Sequence, residues 1–171
     1  MRFSLLLALL FSFSICHGVA APTKNSSAAA LKELILPASL QKVLFGKTTQ
    51  DEILKSLGKP KQKSSNKSVE ILYYNLTGKD FDTTVAFKNK KLLYIVYSPS
   101  SPQVTFKHLG QWITTEDLMK VAKTMSAKVS NEKGREIQIE KRNLGTSFIF
   151  TDNRDMTLKS VTVWKEGEAA P

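Results

Sequence analysis

Cysteine is nearly absent: Cys16 is the only one among 171 residues. Removing the segment that carries it would leave no disulfide framework and no thiol nucleophile, so a packed apolar core must stabilise the domain. Histidine is as scarce. His17 lies in the same segment, and His108 alone cannot form the spacing of a histidine metal site, so it reads as a loop residue. No Gly-x-Ser-x-Gly elbow occurs. Long hydrophobic runs are also missing, because residues 5–15 cover only about half of the roughly 20 positions that cross a bilayer as a helix. These absences exclude a helical membrane span and leave no visible catalytic constellation.

The N-terminal segment does have a recognisable pattern. Met1-Arg2 is a positive start, residues 5–15 are apolar apart from serines, and Gly18-Val19-Ala20 offers small residues for cleavage. Residues 1–20 therefore read as a secretory signal peptide. Cys16 ends the apolar run where a bacterial lipoprotein signal places its acylated residue, although Ile15 stands where a small residue is required. Ordinary cleavage after Ala20 is the favoured reading, with lipidation at Cys16 as the alternative. The rest, in a chain 42% hydrophobic and 23% charged, has the composition of one globular domain.

The formal charge is +10, and 21 of the 25 basic residues are lysine. Such a balance first suggests nucleic acid, but base readout and phosphate clamping favour arginine, and export removes the chain from nucleic acid. The densest run is Lys59, Lys61, Lys63 and Lys67. It reads as a solvated loop, with attraction to anionic lipid headgroups or to an acidic partner as the functional alternative.

Along the chain, residues 21–38 read as a linker and a short helix over 28–36 ended by Pro37. A first repeat follows over 39–99. Leu40, Val43, Leu44 and Phe45 form an apolar start, Gly46 turns the chain, and Thr48 is the expected N-cap of a helix with Asp51 three residues on. Ile53, Leu54 and Leu57 share one helical stripe, Gly58 fits the left-handed position after the helix, and Pro60 prevents continuation. Aromatic and β-branched runs at 70–76, 84–87 and 92–97 predict three strands.

The pattern then recurs in residues 100–165. Thr114-Thr115-Glu116-Asp117 echoes Thr48-Thr49-Gln50-Asp51, Glu136-Ile137 echoes Glu70-Ile71 at the same offset, and Phe148-Ile149-Phe150 matches Val85-Ala86-Phe87. Residues 158–164 close the second copy, and 166–171 form a tail. Asp152 and Asp155 flank a hairpin turn there, because a calcium loop would alternate more oxygen ligands and contain glycine. The expected fold class is α+β: two tandem helix-plus-three-strand repeats forming one antiparallel sheet with helices on one face.

The stretch Gly46-Lys47-Thr48, Asp51-Glu52-Ile53 and Leu57-Gly58-Lys59-Pro60, followed by a strand with paired tyrosines, resembles the SmpA/OmlA family of small envelope proteins. The resemblance covers residues 40–97. The second copy departs from it, with Met125-Ser126-Ala127 in place of the Leu-Gly-x-Pro ending. That family includes a subunit of the outer-membrane β-barrel assembly machinery and shares its helix-plus-sheet fold with the tandem-repeat β-lactamase inhibitor proteins, which the duplicated architecture also resembles. The resemblance implies protein binding at a bacterial envelope, with no catalytic residue, metal or small-molecule cofactor to carry over. Gly46-Lys47-Thr48 matches the end of a phosphate-binding loop, but Gln41 stands where that loop needs glycine. Asn-x-Ser/Thr tripeptides at Asn25, Asn66 and Asn75 leave a eukaryotic secreted origin formally open.

Both alternating faces of residues 71–76 and 92–97 are apolar, whereas a sheet covered on one side should alternate cleanly, as 136–142 does. Tyr73, Tyr74, Tyr94 and Tyr97 are therefore the candidate partner-binding residues, against the plain alternative that they are core. Two functions follow from these readings. One is a non-enzymatic exported module, periplasmic, outer-membrane-associated or secreted, that binds an envelope protein in outer-membrane assembly or integrity. The other is a periplasmic or secreted inhibitor that blocks a hydrolase with the same face.

Overall fold

The computed structural model describes residues 28–66, 68–99, 104–117, 119, 136–151 and 156–171. The signal segment with Cys16, residues 21–27, Lys67, Met125-Ser126-Ala127 and the turn at Asp152 and Asp155 lie outside the described residues.

Three helices come first: α1 (Ala28–Ile35), α2 (Ala38–Gln41) and α3 (Gln50–Leu57). Ala28, Leu31 and Ile35 give α1 one buried stripe, and Pro37, with no amide to donate, ends it. The N-cap of α3 is Thr49, one residue beyond the expected Thr48. Its hydroxyl accepts from the Glu52 amide at 3.3 Å while the Glu52 carboxylate accepts from the Thr49 amide at 2.6 Å. Thr48 cannot take this role because its own Oγ1 accepts from the Leu44 amide at 2.9 Å, closing the turn through Gly46. Asp51 consequently sits in the first turn without closing the cap. Gly58 ends α3 at φ 76° and ψ −156°, a region reserved to glycine and distinct from the left-handed helical one expected.

Seven strands follow: β1 (Gln62–Asn66), β2 (Val69–Tyr74), β3 (Thr83–Lys88), β4 (Lys91–Tyr97), β5 (Glu136–Lys141), β6 (Thr146–Thr151) and β7 (Leu158–Trp164). They form one sheet in the order β1-β2-β3-β4-β7-β6-β5, every neighbouring pair antiparallel. The two halves meet at β4 and β7 through Tyr94↔Trp164, Ile95↔Val163, Val96↔Thr162 and Tyr97↔Val161. Each half carries a register shift at the corresponding place, Ala86/Phe87 in one and Ile149/Phe150 in the other. Thr114 and Asp117 likewise repeat the reciprocal cap of Thr49 and Glu52, at 2.8 and 3.3 Å.

The fold class read from the sequence is corrected in its proportions. Among the described residues the sheet dominates, and the helices that precede it have only 8, 4 and 8 residues. The first half carries four strands, because Gln62–Asn66, expected as a solvated loop, pairs with β2 as an edge. In the second half, among the described residues, the core is closed by a 3-10 turn at Phe106–Leu109 with Trp112 and Ile113, and only Thr115, Glu116, Asp117 and Met119 are helical.

One face of the sheet supplies the core. Leu72, Tyr74, Val85, Phe87, Ile95, Phe148, Phe150, Val161 and Val163 pack with Leu31, Ile35, Leu40, Ile53, Leu109 and Ile113 in a single buried cluster. The β3–β4 hairpin turns on Asn89 (φ 51°) and Lys90 (φ 60°), the two left-handed positions of a type I′ turn. Asparagine tolerates this conformation, whereas a lysine Cβ is crowded in it. Lys90→Gly is expected to raise stability by about 0.5–1 kcal/mol, read as a higher urea midpoint at unchanged m-value; an equal or lower midpoint would show that the turn is not strained.

Candidate functional site

Strand register divides the four candidate tyrosines between the two faces of the sheet. Tyr74 shares a row with Thr83, Tyr97 and Val161 on the core face. It is 2% exposed, and its hydroxyl donates to the Gly58 carbonyl at 3.4 Å, locking β2 to the end of α3. Tyr97 packs against the same core. These two are thereby corrected to structural residues, since a strand alternates its side chains and the core face is covered.

Tyr73 and Tyr94 lie on the opposite, open face. One row runs Ile71, Ala86, Tyr94, Trp164, and the next runs Tyr73, Thr84, Val96, Thr162. Ile71, Tyr73, Tyr94 and Val96 are half-buried. Trp164 forms a buried floor, its indole N–H donating to the Glu168 carbonyl at 2.9 Å. Burial raises the Tyr94 phenol above its ordinary value and nearby Tyr73 adds to this, so the hydroxyl stays protonated at neutral pH and available as a donor. The open face of the second half is more polar, with Gln138, Glu140, Ser147 and Thr162 around Ile149.

Phe81 extends this patch and was missed in the sequence, where it stands alone in a polar turn. Its ring meets Tyr73 edge-to-face at 5.7 Å, and it is 49% exposed. Its φ is 54°, an outlier for a bulky side chain. Asn75 holds it there: the Asn75 Oδ1 accepts from the Phe81 amide at 2.9 Å, and Nδ2 donates to Asp80 at 3.1 Å. Buried Asp82 fixes the remainder of the loop, accepting from the Leu76 and Thr77 amides at 2.8 and 2.5 Å and from the Thr77 and Thr83 hydroxyls, both at 2.7 Å. Burial pushes the Asp82 carboxyl up, but these donors together outweigh it and hold the group below the usual carboxylate range.

The motif residues before the sheet are architectural. Gly46 donates to the Leu92 carbonyl and the Leu92 amide donates to Thr48, both at 2.8 Å, tying the turn before α3 to β4. Leu57 packs on the core and Pro60 is buried. Lys59, Lys61 and Lys63 are exposed along β1 and the turn before it, beside an open cleft of about 480 Å³ lined also by Leu54, Gly58, Pro60 and Gln62. His108 accepts from the Thr105 amide at 3.1 Å within the 3-10 turn. Among the described residues no three His, Cys, Asp or Glu side chains converge as metal ligands, and no helix is long and apolar enough to cross a membrane.

No family model matches the chain, and no curated protein matches it in sequence. Among solved structures it is similar to a DUF4309 family protein, YjgB, from Bacillus subtilis, at 13% identity and a TM-score of 0.44, over 82% of this chain and 99% of the other. A cysteine-rich secretory protein from Staphylococcus aureus is similar at 7% identity and a TM-score of 0.40, over 74% of this chain and 46% of the other. Both likenesses are distant, so function rests on the residues of this chain.

The Asp82 network sets an acid limit. Its folded value lies below the unfolded value of about 3.9, so its contribution is complete above that pH and is lost as pH falls through the lowered folded value. Urea midpoints taken from pH 7 to pH 2 should fall less steeply at the acid end for Asp82→Asn than for the parent. Asp82→Ala, which leaves two amides without an acceptor, should cost about 1–3 kcal/mol at pH 7. Identical acid limbs would show that the carboxylate carries none of the loop's stability.

Proposed function

We propose that the chain is a non-enzymatic, exported module of the cell envelope that binds a protein partner through the open face of its first half, in outer-membrane assembly or integrity. The aromatic patch of half-buried Tyr73 and Tyr94 with exposed Phe81, Tyr94 lying beside the buried Trp164, carries this reading. Aromatic side chains with a polar handle are favoured at interface centres, and an exposed phenylalanine at positive φ is strain that packing alone does not call for. The resemblance of residues 46–60 to SmpA/OmlA envelope proteins supports the compartment. A second reading, inhibition of a hydrolase by the same face, draws on the way two copies join into one broad sheet.

The test is a crosslinked pull-down of the tagged protein from its native envelope, with the mature N-terminus read from the same sample. Enrichment of envelope assembly subunits supports the first reading, and recovery of one soluble hydrolase in a stoichiometric complex supports the second. Tyr73→Ser with Phe81→Ser should abolish either capture while lowering the melting temperature by no more than about 4 °C. Tyr74→Ser should instead cost about 3 kcal/mol as a core truncation. Capture that survives the Tyr73/Phe81 pair would exclude this face.

A further inference from the structure

The sheet has two edges, and β1 is unlike the other strands. All five of its residues are exposed, among the described residues it pairs only with β2, and it contains no apolar side chain. Lys63 sits opposite Leu72 on the helix side of the sheet, and Lys61 lies just before the strand, its amide donating to the Tyr73 carbonyl at 2.9 Å. Two residues of extended chain place the two positions about 7 Å apart. Among the described residues Lys59, Lys61 and Lys63 form no ion pair, whereas the cations Lys141, Arg142, Lys159 and Lys165 of the second half are matched to Asp117, Glu140, Glu136 and Glu168. The cleft beside this edge has Leu54 and Pro60 on its wall and the three lysines on its rim. The Gly58 carbonyl, at the mouth of the cleft, is already engaged by the Tyr74 hydroxyl.

We infer that β1 is a docking edge for an extended acidic segment of a partner protein, which adds as an eighth antiparallel or parallel strand. Its carboxylates, at every second position, face Lys61 and Lys63, and an apolar side chain beside them enters the cleft against Leu54 and Pro60. An edge strand offers unpaired backbone donors and acceptors, which give affinity without sequence preference, while alternate side chains give specificity. The lysines also decide what is refused. A second copy approaching edge to edge would bring two lysine-bearing edges of the same charge together, which disfavours self-pairing relative to an acidic strand. An anionic membrane would meet the same charges but would leave the backbone of β1 unpaired in register, which disfavours it. This edge adjoins the Tyr73–Phe81 face, Gln62 lying opposite Tyr73, but it binds through backbone and lysines rather than the aromatic side chains, so its test stands whether or not that face binds a partner.

The experiment uses the full mature chain and a fluorescent strand-forming peptide that alternates glutamate and valine, with a control of the same composition whose glutamates are contiguous. The alternating peptide should bind, slow hydrogen exchange at amides of residues 62–66, and bind at least tenfold more tightly than the control. Lys61→Glu with Lys63→Glu, both exposed, should weaken it at least tenfold without shifting the melting temperature. Binding without protection of those amides would overturn strand addition, and so would absence of binding. Sedimentation with phosphatidylglycerol vesicles, lost in the double variant and unmatched by peptide binding, would assign the edge to a membrane surface instead.

Discussion

The pairing of β4 with β7 is the contact on which everything else rests. Four residue pairs join the halves, and on the core side they bring together Ile95, Val161 and Val163, all fully buried. Without this seam each half would end in an apolar strand edge, a ready template for aggregation, and each would be a small sheet too thin to bury a core. With it, the two apolar faces become one surface broad enough for the N-terminal helices on one side of the seam and for Leu109, Trp112 and Ile113. In a chain almost free of cysteine, that shared burial is the principal source of stability.

The seam also separates the two faces by chemistry. On the core side it presents the enclosed Ile95, Val161 and Val163 with the partly buried Tyr97, while on the open side the same four pairs present Tyr94, Trp164, Val96 and Thr162. The tryptophan is held down by the backbone of Glu168, so the tyrosine beside it rests on a fixed floor. The aromatic surface is thus built upon the most firmly held part of the sheet, and the Asp82 network positions Phe81 at its margin. Rigid support lowers the ordering cost of binding.

Much of this was legible in the residues. The six strands with β-branched or aromatic runs could be read from composition, but the expected helix-plus-three-strand repeats gave way to a sheet-dominated fold whose first half carries a fourth strand. β1 was not legible, because Gln-Lys-Ser-Ser-Asn has no apolar residue to betray a period of two, and it is a strand only because β2 has a side to be paired. The cap was ambiguous for a local reason. Thr48 and Thr49 each have an acid three residues on, and only the engagement of the Thr48 hydroxyl by Leu44 decides between them. The tyrosines could have been divided earlier: Tyr73 and Tyr74 are adjacent, and Tyr94 and Tyr97 are three apart, so each pair must point to opposite faces. Phe81 gave no periodic signal, and its one clue was the cluster of turn formers Asn75, Gly78, Asp80 and Asp82 around it.

The order of the strands has a kinetic consequence. Within each half, every pairing joins strands that are consecutive in the chain, the kind of local contact that forms quickly. Only β4 with β7 closes a long stretch of chain, at an entropic cost that must be met before its burial repays it. Contact order alone therefore favours the hairpins within each meander forming ahead of the union of Ile95 with Val163, which supplies the burial neither half has by itself.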